Sequence, residues 1–335
     1  MYNIYKLNYN ESGDNMKKIK NIFLVIVSMV LVLSLVSCKK KDSDKINPPK
    51  NSTGTIDDSD KTEKDKAAIM KDFDNVLKTN DLSKVIGFID DNIKSLSQIE
   101  GDKMVLDLEV VLEESLNPTM DNIFKADPNG ELINIAESDI FFPKEKIKDI
   151  ESETLKNEVT KLMENKYKLI NLEGSFYPII DYENLKQYNN YVSDEIKEYI
   201  EIKAIDSNSP VVIDAGLLIS YDDLASRILK VENYIQRYSQ GQKHEEILRL
   251  YRSKLALYLG GVDNTPIFVN DTKKIKDDVL ESYKKTSNTK DSVTAHIVNK
   301  YVNLIEKNDL IINTVVQDEV VSLVNEALSI LEVSK

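Results

Sequence analysis

From Thr62 to the end of the chain, apolar residues return every three or four positions, and that spacing leaves little room for anything but α-helices. Ile69, Phe73, Val76 and Leu77 open the series, followed by Val85, Ile86, Ile89, Ile93 and Leu96. Met104, Leu108, Val111 and Leu112 carry it to a break at Asn117-Pro118. Asp127-Pro128-Asn129-Gly130 reads as a turn, since Asp and Asn bond nearby backbone and Gly tolerates positive φ. Pro143 suits the first turn of a helix, where its missing N–H has no intrahelical partner. The helix predicted there bears Ile147, Ile150, Leu155, Val159, Leu162 and Met163 along one side and ends near Gly174.

Beyond Gly174-Ser175-Phe176-Tyr177-Pro178, the stretch 181–206 reads as one or two helices, with Ser193 as an N-cap in the middle. Val211-Val212-Ile213 and Leu217-Leu218-Ile219 flank Gly216, and the pattern fits a short buried helix or a strand equally. Ser220 with Asp223 forms a capping box ahead of a helix that ends near Gly241, and a second helix runs to Gly260-Gly261. Three more helices are expected over about 274–286, 290–307 and 315–333. Ten glycines and eight prolines fall nearly all at the breaks. The fold class is therefore all-α: stacked helix hairpins in an irregular array, as one domain or as two sub-bundles, 62–173 and 174–335, with a seam near Leu172–Ser175.

The first 61 residues follow other rules. Lys17, Lys18 and Lys20 precede an apolar run, Ile22 to Val36, which ends in Leu35-Val36-Ser37-Cys38. A basic region, an apolar region and a small residue are the layout of a secretory signal. The run spans 15 residues and carries Ser28 and Ser34, whereas a membrane-crossing helix needs about 20 apolar residues. The alternative is an uncleaved anchor with Lys39, Lys40 and Lys41 as its stop-transfer flank. The stretch Leu35-Val36-Ser37-Cys38 resembles the lipobox of bacterial lipoproteins. That resemblance implies that 16–37 is removed as a signal peptide and that Cys38 becomes the first mature residue, carrying diacylglycerol as the only attached group. It also implies a location at the cell membrane, on its extracytoplasmic face. Residues 1–15 lack signal character, and Met16-Lys-Lys-Ile-Lys reads as the natural start of translation. Residues 38–61, with Pro48-Pro49, Gly54 and alternating charges, are too polar to offset ordering entropy and read as a flexible tether.

Cys38 is the only cysteine, which excludes internal disulfides and Cys-based metal sites. The net charge is −13; residues 1–37 hold four lysines against Glu11 and Asp14, a balance of +2, so the mature part stands at −15. Such a surface repels nucleic acid and favours solubility or cationic partners.

The chemistry-bearing motifs are sparse. The two histidines, His244 and His296, stand alone on separate helices, without the i, i+4 partner a zinc protease needs. Ser282-Tyr-Lys-Lys285 and Ser287-Asn-Thr-Lys290 match a Ser-x-x-Lys pattern without its companion motifs. Glu113-Glu114, Asp222-Asp223 and Glu245-Glu246 are carboxylate pairs of the kind that acid/base chemistry uses, and equally of the kind that solvates a helix. Asp127 to Glu131 is a fragment of a calcium loop. One local excess stands out: Phe176, Tyr177, Tyr182, Tyr188 and Tyr191, interleaved with Asn184, Gln187, Asn189 and Asn190. Flat rings with polar tips suit a ligand or partner groove, and they suit packing between helices as well.

The helix pair 220–260, with Tyr234-Ile235 and Tyr238-Ser239 followed by Glu246-Ile247 and Tyr251, is similar to the hairpins of tetratricopeptide-like repeat lipoproteins, over about 40 residues and without a recurring period. As a whole the chain resembles all-helical surface lipoproteins of Gram-positive bacteria. The expectation is a non-catalytic binding or interaction module at the cell envelope, whose partner is another envelope protein, a peptide or a small ligand. The rivals are a wall-acting hydrolase with a site in the seam and an immunity or sensor lipoprotein against cationic peptides.

Overall fold

In the computed structural model, residues 58–333 are described. The expected signal peptide, the lipobox Leu35-Val36-Ser37, Cys38 and most of the tether lie outside the described residues. The last four tether residues, Asp58–Lys61, already belong to the first described helix, α1 (Asp58–Leu77).

Capping residues set the helix boundaries. Asp81 starts α2 (Leu82–Asn92) by accepting the Lys84 N–H. Ser97 and Glu100 form a reciprocal capping box at the head of α3 (Gln98–Ala126). The expected break at Asn117-Pro118 does not occur, and α3 runs through it. Pro118 lies on the exposed face, where water can serve the carbonyl its ring frees. Asp127 makes the predicted turn and caps α4 (Glu131–Ala136) by accepting the N–H groups of Glu131 and Leu132.

The long helix predicted from Pro143 to Gly174 breaks into three pieces. A 3₁₀ turn spans Lys144–Asp149, Ser152 restarts the chain as α5 (Glu153–Glu164), and an antiparallel hairpin follows. Its strands are β1 (Tyr167–Leu172) and β2 (Ser175–Ile180), paired from Tyr167–Ile180 to Leu172–Ser175. Glu173 and Gly174 turn it with φ of 52° and 81°, so Gly174 closes a hairpin and does not end a helix. The boundary expected at 173/174 falls on that turn, and residues from Ser59 onward form one compact unit.

The rest follows the periodicity closely. A short α6 (Tyr182–Leu185) leads to α7 (Asp194–Asn208), capped by Ser193 as predicted. The ambiguous stretch 211–219 is a small hairpin, β3 (Val212–Ile213) and β4 (Gly216–Leu217). Helices α8 (Tyr221–Arg237) and α9 (His244–Gly260) form the expected pair. A second small hairpin, β5 (Gly261–Val262) with β6 (Thr265–Pro266), sits against the first through the Asn264 N–H to Ala215 carbonyl bond. Helices α10 (Asp277–Thr286), α11 (Val293–Lys307) and α12 (Thr314–Val333) close the array. The fold is predominantly all-α, with only small antiparallel strand pairs among the described residues. One cluster of buried side chains runs from Phe73 to Leu331.

Candidate functional site

Ionisable groups with altered acidity concentrate where α3, α6, α7 and α9 meet. Glu109 sits on the inner face of α3 and is only 2% exposed. Tyr182 opens α6, while Tyr199 and Lys203 stand four residues apart on one face of α7. Lys243 precedes α9, and Glu246 lies in its first turn, where the helix dipole favours a negative charge.

These side chains hydrogen-bond and ion-pair with one another, and Glu109 Oε2 is met by an ion pair alone. The Tyr182 hydroxyl donates to Glu109 Oε1 at 2.6 Å. The Tyr199 hydroxyl reaches both Glu109 Oε1 and Glu246 Oε1, the latter at 2.8 Å, so its single proton serves two carboxylates. Lys203 Nζ donates to Glu246 Oε1 at 2.7 Å. Lys243 Nζ bridges the acids, 2.5 Å from Glu109 Oε2 and 2.9 Å from Glu246 Oε2. The ammonium groups also lie over the rings, Lys203 at 5.0 Å from the Tyr182 centroid and Lys243 at 4.7 Å from that of Tyr199. Two carboxylates and two ammoniums make a neutral set.

The acidities follow from this arrangement. Burial would raise the Glu246 pKa, but Lys203 and Lys243 outweigh it and bring it down to about 2. Burial disfavours the charged form of Lys203 and Lys243, yet the carboxylates of Glu246 and Glu109 hold both above the ordinary lysine value. Burial pushes Tyr182 and Tyr199 well above the usual phenol range; the charge of Glu109 adds to the effect on Tyr182, and the charges of Tyr182 and then Glu109 add to that on Tyr199. Glu113, one turn along α3, is raised by desolvation and then by repulsion from Glu109. Near neutral pH, Glu246 is therefore a fixed anion and Tyr182 and Tyr199 are fixed neutral donors. General acid–base work favours groups that titrate near the working pH, and these three do not. Holding distant helices in register is the chemistry this arrangement does best.

The aromatic segment singled out in the sequence does not converge on one groove. Phe176 is buried edge-on against Phe142, with centroids 5.6 Å apart. Tyr177 packs against Phe124 at 5.3 Å. Tyr182 belongs to the charged cluster, and Tyr188 is buried with its hydroxyl on Asp90 at 2.7 Å. Tyr191 is half-buried, its carbonyl packed onto Gly101 so closely that a Cβ there would collide with it. Phe176, Tyr182 and Tyr188 are buried in the packed interior, and Tyr177 and Tyr191 keep partial exposure.

The other motifs disperse. His244 is buried, its Nδ1–H donating to the Tyr238 carbonyl at 3.1 Å, while exposed His296 stands 3.6 Å from Glu326. Ser282 is buried against the Tyr258 hydroxyl, and Ser287 bonds the Lys284 carbonyl. Asp222 pairs with Lys285, and Asp223 caps α8 with Ser220. Glu246 was visible only as half of an acidic pair; Glu109, Lys203 and Lys243 carried no signal beyond an i, i+4 Tyr/Lys spacing on α7. Among the described residues, no group of three or more His, Cys, Asp or Glu is placed to hold a metal ion, and no helix is long and apolar enough to cross a membrane. No protein-family model, curated protein or solved structure matches the chain.

Proposed function

We propose that this chain is a lipid-anchored, extracytoplasmic module of the cell envelope that acts by binding and not by catalysis. The observation that carries this reading is Leu35-Val36-Ser37-Cys38, placed directly behind Lys17, Lys18, Lys20 and a 15-residue apolar run. Lipid on Cys38 holds the protein at the membrane, since two or more acyl chains anchor stably where one does not. The polar stretch after it projects the helical body outward. The matched charges around Glu109 and Glu246 support a scaffold role for the interior and leave recognition to the surface. The charge of −15 on the mature part draws cationic segments of partner proteins or peptides toward that surface. Metabolic labelling with radioactive palmitate tests the reading: the wild-type chain incorporates label and a Cys38→Ala variant does not. Equal, blank lanes for both proteins would sink it.

A further inference from the structure

The hairpin β1–β2 carries a third, shorter strand. The Asn171 N–H donates to the Ile140 carbonyl at 2.7 Å, and the Phe142 N–H to the Leu169 carbonyl at 3.0 Å. These two bonds flank the antiparallel bridge between Phe141 and Ile170. In that pattern Phe141 and Ile170 form a non-hydrogen-bonded pair, so the Phe141 N–H and C=O point away from β1. Strand β2 packs on α3. Beside Phe141 an open cleft of about 640 Å³ lies between residues 138–143 and the 208–218 region. Ile140 and Leu218 line it and are 42% and 45% exposed, unusual for such large apolar side chains at one place.

An unpaired strand edge is a template for another extended chain, and pockets for its side chains give selectivity. Pro143 has no N–H and ends the edge on one side, while the Asp139 N–H is already bonded to Ala136 on the other. Asp139 lines the same cleft and faces Lys146 at 3.3 Å, an exchangeable surface pair. Lys168 Nζ lies 4.9 Å over the Phe141 ring and donates to Asn208 on the opposite wall, with Asp181 at 3.7 Å to balance its charge. Asp139 is then the carboxylate for which a guest lysine or arginine competes with Lys146, and the acidic body favours a cationic guest.

We propose that this cleft takes an extended cationic peptide segment, which pairs its main chain with Phe141 and sets an apolar side chain against Ile140 and Leu218. The inference rests on the binding-module reading and specifies its partner. A random heptapeptide library displayed on phage is panned against the full chain, and the selected peptides are measured by fluorescence anisotropy. Selected sequences should join apolar residues to Lys or Arg. Leu218→Ser, a change at an exposed site that adds no charge, should weaken them about tenfold or more, a loss of about 1.4 kcal/mol, with an unchanged circular dichroism spectrum. Ile140→Ser gives a second variant on the same wall, and N-methylation of the peptide backbone should weaken binding to a similar degree. Selection of no sequence over the Leu218→Ser protein, or equal binding after either substitution or N-methylation, overturns the proposal. If palmitate incorporation at Cys38 persists in that case, the anchored reading stands and only the peptide cleft fails.

Discussion

Two regions of this protein use buried tyrosine, and they use it differently. Around Glu109, the hydroxyls of Tyr182 and Tyr199 end on carboxylates, with Lys203 and Lys243 over their rings. In the C-terminal helices, Tyr221, Tyr258, Tyr283 and Tyr301 stack in series, with centroids 6.0, 4.9 and 5.9 Å apart. There Tyr258 reaches Ser282 and Thr286, Tyr283 donates to the Tyr258 carbonyl at 2.6 Å, and the hydroxyls of Tyr221 and Tyr301 have no hydrogen-bond partner among the described residues. Hydrogen bonds to ionised groups are about twice as strong as neutral ones, and they respond to pH. Ring packing does not. The same side chain thus acts as an electrostatic clasp in one region and as apolar filler in the other.

The largest expected effect lies in the stack. Tyr283→Ala empties the centre of the series and should cost about 3–5 kcal/mol by chemical denaturation, in the range of aromatic truncations. Glu109→Ala should cost about 3 kcal/mol, the low end for breaking a buried ion pair, because Lys243 keeps Glu246. A loss under half of that would mean the clasp is ornamental. Acid should expose the contrast next. Glu246 has a folded pKa of about 2 against an ordinary 4.5, so its contribution is complete above the ordinary value and is lost as pH falls toward the folded one. That contribution is roughly 3 kcal/mol at most, and a Glu246→Gln variant should show a flatter stability profile between those pH values. Tyr199→Phe should cost about 1.5–3 kcal/mol, since it removes a donor shared by two carboxylates. Tyr301→Phe should change stability by about 0.5 kcal/mol or less, or stabilise, because it deletes an unpartnered buried hydroxyl. Equal costs for the last two variants would erase the distinction between clasp and filler.

Local rules recovered most of the helices, because each needs only its own apolar period and a cap within four residues. Ser193 and Ser220 act as caps where those rules place them, and Asp127 opens the predicted turn. The hairpin over 167–180 escaped, since Tyr167, Leu169 and Ile170 continue the apolar density of α5 and fit either period. Pro118 misled because a proline ends a helix only where the freed carbonyl goes unserved. The charged cluster was illegible for another reason: Glu109 and Glu246 meet only after four helices have packed, and no spacing along the chain encodes that meeting. The aromatic excess at 176–191 was real in composition, yet its rings disperse into separate contacts because strand and helix aim them to different sides.

The anchored, outward-facing reading meets its most direct test in the intact mass of the protein extracted from membranes with detergent. The account predicts a species that starts at Cys38 and carries diacylglycerol on its sulfur. A chain that retains residues 16–37, or one that starts elsewhere without lipid, would contradict it.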